Sequence, residues 1–502
     1  MGKSKSRRWW VDMDILDRAI LEIHEALIKE ETTPLELTKE ALRRAKEDTN
    51  NAFEFINEES ALEEAASLTE VEEDNPLWGI PYICKDNFST KGIPSTGSSN
   101  TLNGYVPLFD ASVVARLKEK HCILIGKTTL DELAMGGSGT TGHLGTTYNP
   151  YDPRHQRMIG GSSCGSAEGV ASGIVPFALG SDTGDSVRKP AAYGGLVGLK
   201  PTWGRISRYG LFPFAPSMDT VGYLTRSVED SAVLLEALAG RDEHDSTSSF
   251  KEVEPYLANL KPTFKGKRIA VLSEVVRSIS NEKLMHAFNA SLEKMKEEGA
   301  EIVPVDFGQE ALESIYATYI VLSCAEATSN NANLDGIKFG PYYEGKTYQE
   351  AMFKARTNGF SEFIKRRFII GSFALMEENQ EALFLRAQRN RAKIVARTNE
   401  ILRDYDAIYL PTAPGIAPLF HEHMNKLSEE YLIADKHLIL GNFSGLPSIS
   451  LPLGFIDGMP IGACFMSQAF KEGDLLSLAK AFENLSGLKN LSLKNRKGGN
   501  FE

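Results

Sequence analysis

The sequence predicts an α/β fold: a single large domain whose central mixed, mostly parallel β-sheet is covered by helices on both faces. Three observations predict it. Apolar, strand-like runs alternate with segments of helical period from "GIPYICK" to "GACFMSQAF". The consecutive stretches "KRIAVL", "NEKLMHAFNASLEKMKEEG" and "AEIVPVDF" read as a complete βαβ unit. No Pro/Gly/Ser-rich linker and no internal repeat divides the 502 residues, although length alone would allow about three domains.

The basic stretch "MGKSKSRRWWVD" reads as a flexible arm over residues 1–12, or as an extension upstream of a start at Met13. It has neither the apolar core nor the cleavage site of a secretory signal. From Asp14 to Lys29, Ile15, Leu16, Ala19, Ile20, Ile23 and Leu27 recur at helical spacing. Thr33-Pro34-Leu35-Glu36 is a capping box that opens a second helix. "EEAASLTEVEEDNP" reads as a helix running into a solvated linker, and "HCILIGKTTLDELAM" as strand, loop and helix. "AIYLPTAP", "PSISLPLGF" and "GACFMSQAF" carry the sheet almost to the C-terminus. The main domain is therefore expected over 13–490, with a flexible tail over 491–502.

With 42% hydrophobic and 24% charged residues the chain has ample material for a core. A formal net charge of -12 argues against gripping nucleic acid through the overall field. Runs such as "GIVPFALG" fall short of the roughly 20 residues that span a bilayer. Cys84, Cys122, Cys164, Cys324 and Cys464 are far apart without a C-x-x-C, which fits a reducing cytoplasm rather than a disulfide framework or zinc site.

Two motifs are decoys. Gly137 to Gly142 matches G-x-G-x-x-G but follows the helical "TTLDELAM" rather than a strand, so the dinucleotide context is missing. The group His421-Glu422-His423 lacks the spacing of a metalloprotease helix and reads as a polar surface loop, so no metal ligand is expected.

Nucleophilic chemistry has two candidate sources. Gly161-Ser162-Ser163-Cys164-Gly165 matches G-x-S-x-G and offers Ser163. The cluster "LGSDTGDSVRKPAAYGGLVGLKP" leads through Gly180 and Gly184 to Ser186, with consecutive backbone N–H groups suited to an oxyanion. No histidine sits in a motif, so the candidate base is Lys85 at the end of the run "GIPYICK". It is useful only if burial lowers its pKa, and about 3 units correspond to roughly 4 kcal/mol. Asp86, the next strand residue, should face the other way.

Taken together, "WGIPYICKDN", "GKTTLDELAMGGSGTTG", "GGSSCGSAEGVASG", "GSDTGDSVRKPAAYGGLVGLKPTWGRIS", "SMDTVGYLTRSVED" and "GNFSGLPSISLPLG" resemble the amidase signature family of serine hydrolases over most of 13–490. "YGLFPFAPSMDTVGYLTRSVEDSA", "AEATSNNANLDGIKFG" and "FIKRRFIIGSFAL" are similar to the A subunits of glutamyl-tRNA(Gln)/aspartyl-tRNA(Asn) amidotransferases. The resemblance implies the amidase signature fold and a triad of Ser186 as nucleophile, Lys85 as ultimate base and acid, and Ser162, preceded by a cis peptide bond, as proton bridge. Ser163 becomes structural and Cys164 a small packed residue. The backbone N–H groups of Thr183, Gly184, Asp185 and Ser186 would form the oxyanion hole.

For substrate, the resemblance implies Arg367 on a glutamine carboxylate, with Arg366 as the neighbouring alternative. Asp435 would meet the ammonium, Tyr319 would line the pocket, and Arg188 would brace Asp182. It also implies a glutaminase subunit that feeds ammonia to the amidation of Glu-tRNA(Gln) or Asp-tRNA(Asn). A B subunit would bind ATP, Mg²⁺ and the tRNA, a small C subunit would wrap the interface, and this chain would carry no cofactor. A free-standing amidase and a non-catalytic scaffold are the alternatives. One departure stands out: Gly184-Asp185 replaces the family's usual pair of glycines before the nucleophile. A carboxylate about 5 Å from an oxyanion costs roughly 3 kcal/mol at an effective dielectric near 20, so the Asp185 side chain is expected to turn toward Lys189 or Arg188.

Overall fold

A computed structural model describes residues 14–420 and 433–494. The expected N-terminal arm and the His421-Glu422-His423 group lie outside the described residues. The predicted sheet is present with eleven strands: β1 (Phe53–Ile56), β2 (Pro81–Lys85), β3 (Ile123–Thr128), β4 (Phe177–Asp182), β5 (Val197–Lys200), β6 (Thr220–Thr225), β7 (Arg268–Leu272), β8 (Glu301–Val305), β9 (Ala407–Pro411), β10 (Ser448–Ile456) and β11 (Met459–Met466). Their order across the sheet is β1-β3-β2-β4-β6-β5-β10-β11-β9-β7-β8.

The sheet is mixed, but the expected parallel majority is corrected. Parallel pairing is confined to β3-β2-β4 and β9-β7-β8. Every other neighbouring pair is antiparallel. The reason is local for β10 and β11, which turn back through Asp457 and Gly458, both at positive φ. A two-residue turn permits only an antiparallel pair. Every residue of β2, β3, β4, β5, β6, β9 and β11 is buried. Since successive side chains point to opposite faces, both faces must be covered.

The βαβ unit forms as read, with β7 and β8 parallel from Arg268 opposite Glu301 and the helix Glu282–Glu297 between them. The capping box forms too: the Glu36 N–H donates to the Thr33 hydroxyl at 3.2 Å, and the Thr33 N–H to the Glu36 carboxylate at 2.9 Å. Two elements differ. The helix expected after β3 is a single 3₁₀ turn, Glu132–Ala134, in which Leu133 and Ala134 take positive φ. In the tail expected from 491, Leu491 and Ser492 are buried and the Leu493 N–H donates to the Ala171 carbonyl.

The chemistry is placed by β2 and β4, which are parallel neighbours paired from Tyr82 with Phe177 to Cys84 with Leu179. Their carboxyl ends therefore coincide, which brings Lys85 beside the loop that leaves Asp182.

Candidate active site

Lys85 is fully buried at the end of β2. Its Nζ donates to the Ser162 hydroxyl at 2.8 Å, to the Ser163 and Ser181 hydroxyls at 3.0 Å each, and to the Ser181 carbonyl at 3.4 Å. No carboxylate touches it among the described residues. Burial accordingly pushes its pKa down to about 8. Asp86 does face the other way, pairing with Lys127 at 3.1 Å and accepting from the Thr96 N–H and hydroxyl at 2.7 Å each.

Ser162 follows a cis peptide bond from Gly161. The loop before it is fixed by Asp131. The backbone N–H groups of Ser138, Gly139, Thr140 and Thr141 converge on the Asp131 carboxylate at 2.9 to 3.3 Å. The G-x-G-x-x-G stretch is thus an anion-binding nest whose anion is the protein's own side chain. A Cβ on Gly161 would lie 2.0 Å from an Asp131 oxygen, so only glycine fits there. The Asp131 N–H in turn donates to the Ser162 carbonyl at 3.2 Å.

Ser163 sits deeper. Its hydroxyl donates to the Ser181 carbonyl at 3.2 Å and its N–H to the Ser186 carbonyl at 3.2 Å, so its groups are committed to tying this segment to β4 and the loop after it. Cys164 begins the helix Cys164–Ala171, and burial pushes its thiol up to about 12, which leaves it inert at neutral pH.

The loop after β4 carries the second half of the site. Arg188 grips Asp182 in a two-pronged pair, Nε to Oδ2 at 3.0 Å and Nη2 to Oδ1 at 2.9 Å. Asn442 donates to the same carboxylate at 2.9 Å. Burial alone would raise Asp182, but Arg188 overrides it and holds the carboxyl down at about 2. The Thr183 hydroxyl donates to Asp219 at 2.7 Å. Between these anchors, the N–H groups of Thr183, Gly184, Asp185 and Ser186 make no hydrogen bond to any other described residue. The Ser186 hydroxyl likewise bonds to no other described residue, so the link from Ser162 to Ser186 is open in this structure.

Around this loop gather the remaining expected residues. A Cβ on Gly184 would lie 3.2 Å from the Tyr319 hydroxyl oxygen, which puts the tyrosine ring directly over the loop. Burial raises the Tyr319 phenol and the neighbouring Arg367 charge opposes the rise. Arg367 is half-buried on the helix Glu362–Leu375, its guanidinium 4.8 Å from the Phe363 ring and 5.8 Å from the Phe214 ring. Its Nε and Nη1 are buried and have no hydrogen-bond partner among the described residues, whereas Arg366 is exposed. Asp185 turns away from the loop to Lys189, 2.5 Å from Nζ. Asp435, expected to meet an ammonium, lies 2.9 Å from the same Lys189 Nζ.

Ser181, Asn87, Asp131 and Asn442 were not singled out from sequence. Asn87 donates to the Ser181 hydroxyl at 3.0 Å, extending the polar shell around Lys85. For Asp131 a signal existed: an aspartate shortly before a glycine-rich turn can be the anion of that turn. The others are brought in by distant strands and helices.

Known proteins are similar to this chain in sequence and fold. The Amidase family profile matches residues 36–476. The chain belongs to the amidase family. It is 40% identical to the A subunit of the glutamyl-tRNA(Gln) amidotransferase of Lysinibacillus sphaericus and 38% identical to that of Pediococcus pentosaceus, in each case over 94% of this chain and 97% of the relative. Among solved structures, the corresponding A subunit from Thermotoga maritima is similar at 36% identity and TM-score 0.78, over 94% of this chain and 96% of that one. The peptide amidase of Stenotrophomonas maltophilia is similar at 28% identity and TM-score 0.79, over 94% and 97%. This amidase thus shares its fold about equally with an amidotransferase component and with a peptide amidase, and the substrate pocket has to separate them. Among the described residues no helix is long and apolar enough to cross a membrane.

Proposed function

We propose that this amidase is the glutaminase subunit of a tRNA-dependent amidotransferase. The observation that carries the reading is Arg367: a guanidinium beside Tyr319, over the nucleophile loop, with two buried nitrogens left unpaired among the described residues. Leaving such groups unpaired costs about 1–3 kcal/mol, which a substrate carboxylate recovers. A charged pocket suits free glutamine and disfavours an aryl or fatty amide.

In the proposed reaction, neutral Lys85 takes the Ser186 proton through the Ser162 hydroxyl. Ser186 Oγ attacks the side-chain carboxamide, and the unpaired N–H groups of Thr183 to Ser186 receive the oxyanion. The relay returns the proton to the leaving nitrogen, ammonia departs, and water cleaves the acyl-enzyme to glutamate. Closure of the open Ser162 to Ser186 link belongs to the substrate-bound state. Asp435 receives the substrate ammonium and Tyr319 closes the pocket over Gly184.

In this reading ammonia is consumed at a partner B subunit that binds ATP, Mg²⁺ and Glu-tRNA(Gln) or Asp-tRNA(Asn), with a C subunit wrapping the interface. The acidic net charge of -12 suits a chain that leaves the tRNA to its partner. The test is ammonia release from glutamine, by the chain alone and with its B and C subunits, comparing wild type with Ser186→Ala. Release that rises with the partners and vanishes in the variant supports the proposal. Release from other amides but not from glutamine redirects it to a free-standing amidase.

A further inference from the structure

We propose that Lys189 is a positioning residue whose task is to hold the Asp185 carboxylate out of the oxyanion pocket. The inference rests on the reading of Ser186 as the nucleophile. Asp185 immediately precedes Ser186, and its N–H is one of the four left unpaired, so its backbone must face the pocket while its charge must not. The geometry meets that demand in one way. The Lys189 N–H donates to the Asp185 carbonyl at 2.9 Å, at the first turn of the helix Arg188–Gly194. That i,i+4 spacing sets the two side chains on one face, where they join at 2.5 Å.

Lys189 is itself fixed from the far side by Asp435 at 2.9 Å, and an ammonium with three donors can serve both carboxylates. Among the described residues no other cation pairs with Asp185. Arg188, the adjacent residue, already gives its donors to Asp182, Asn442 and the Gly184 and Leu438 carbonyls. Without Lys189, Asp185 and Asp435 repel each other across the vacated space. The carboxylate of Asp185 is then free to swing toward the nucleophile loop, where it opposes the developing oxyanion and slows acylation by about a hundredfold.

The experiment uses a fluorophosphonate probe alongside glutamine. In the probe reaction Ser186 Oγ bonds to phosphorus as the P–F bond breaks, fluoride leaves, and the serine proton passes to Lys85 by way of Ser162. Its rate therefore reads the nucleophile and the oxyanion pocket whatever the natural substrate. Wild type, Asp185→Asn, Lys189→Met, the double variant Asp185→Asn/Lys189→Met and Ser186→Ala are compared, with thermal melting of each.

Lys189→Met is expected to label about a hundredfold more slowly and to lose kcat on glutamine. The double variant is expected to recover to within a fewfold of Asp185→Asn, because the harmful charge is gone. Labelling of Lys189→Met at the wild-type rate overturns the proposal. So does a double variant that stays slow, since the lysine would then be needed for packing alone. Wild type that labels at Ser186 but releases no ammonia from glutamine defeats the glutaminase reading and leaves the role of Lys189 standing. Ser186→Ala that labels as fast as wild type overturns both.

Discussion

If Lys85 is the base, its neutrality should be adjustable from a distance through Asn87. Burial lowers the Lys85 pKa from 10.5 to about 8. At pH 7.5 this raises the neutral fraction from about 0.1% to about a quarter. The Asn87 amide reaches Lys85 through Ser181, by way of two hydrogen bonds of 3.0 Å each. Asn87→Asp is nearly isosteric and sets a carboxylate about 6 Å from the ammonium. At an effective dielectric near 20 the attraction is roughly 3 kcal/mol, or about two pKa units. The pKa then moves from about 8 toward 10, and the neutral fraction at pH 7.5 falls about eightyfold. The assay is kcat/KM for ammonia release as a function of pH, with a thermal melt to verify folding. Wild type should show a rising limb near pH 8, and the variant a limb near 10 with activity recovered at high pH. A limb that stays at 8 in a folded Asn87→Asp protein refutes the reasoning, as does an equal loss at every pH.

Ser162→Ala should lower kcat by about 10²- to 10⁴-fold by breaking the relay, whereas Ser163→Ala should stay within about tenfold of wild type; steady-state kinetics on the pair decides which serine passes the proton. Arg367→Ala should weaken glutamine by about 1.5–3 kcal/mol, read as a KM rise of about ten- to two-hundredfold, while Arg366→Ala leaves KM unchanged. Arg188→Met leaves buried Asp182 without its guanidinium and should cost about 3–5 kcal/mol in urea unfolding. Because the folded pKa of Asp182 is depressed to about 2, below its unfolded value, its contribution is complete above the unfolded pKa and is lost as pH falls through about 2. Urea midpoints of Asp182→Asn and wild type should therefore converge at the acid end.

Much of the fold was legible because its signals are local. Thr33 and Glu36 lie three residues apart, and the strand-helix-strand pattern around Glu282–Glu297 is written in hydrophobic period. The sense of strand pairing was less so. β10 and β11 are joined by a tight turn, but β5 and β10 meet across more than two hundred residues of chain, and nothing local records their direction. The 3₁₀ turn after β3 escaped for a related reason: "DELA" has helical propensity, but Asp131 is held by the loop that follows, and that loop overrides propensity.

The candidate site divides the same way. Sequence motifs located the serine loops and Lys85, since glycine-rich turns and the end of a strand are visible in one dimension. A place at the end of an apolar strand does not by itself set Lys85 apart. Lys85, Lys127 and Lys200 all end or nearly end an apolar strand, and all three are fully buried. Lys127 is paired with Asp86 and Lys200 donates to the Pro201 carbonyl, while Lys85 meets only hydroxyl and carbonyl oxygens. The sequence named Arg367 but kept Arg366 as an alternative, because only the fold shows which of two neighbours that a helix sends about 100° apart is buried. By itself, then, the sequence determined the family, most of the elements and the residue types of the candidate site. Only the tertiary structure decided which buried lysine meets the serine hydroxyls, which arginine faces inward and where Asp185 puts its charge. Burial and pairing set those properties, and both depend on groups that folding brings from distant parts of the chain.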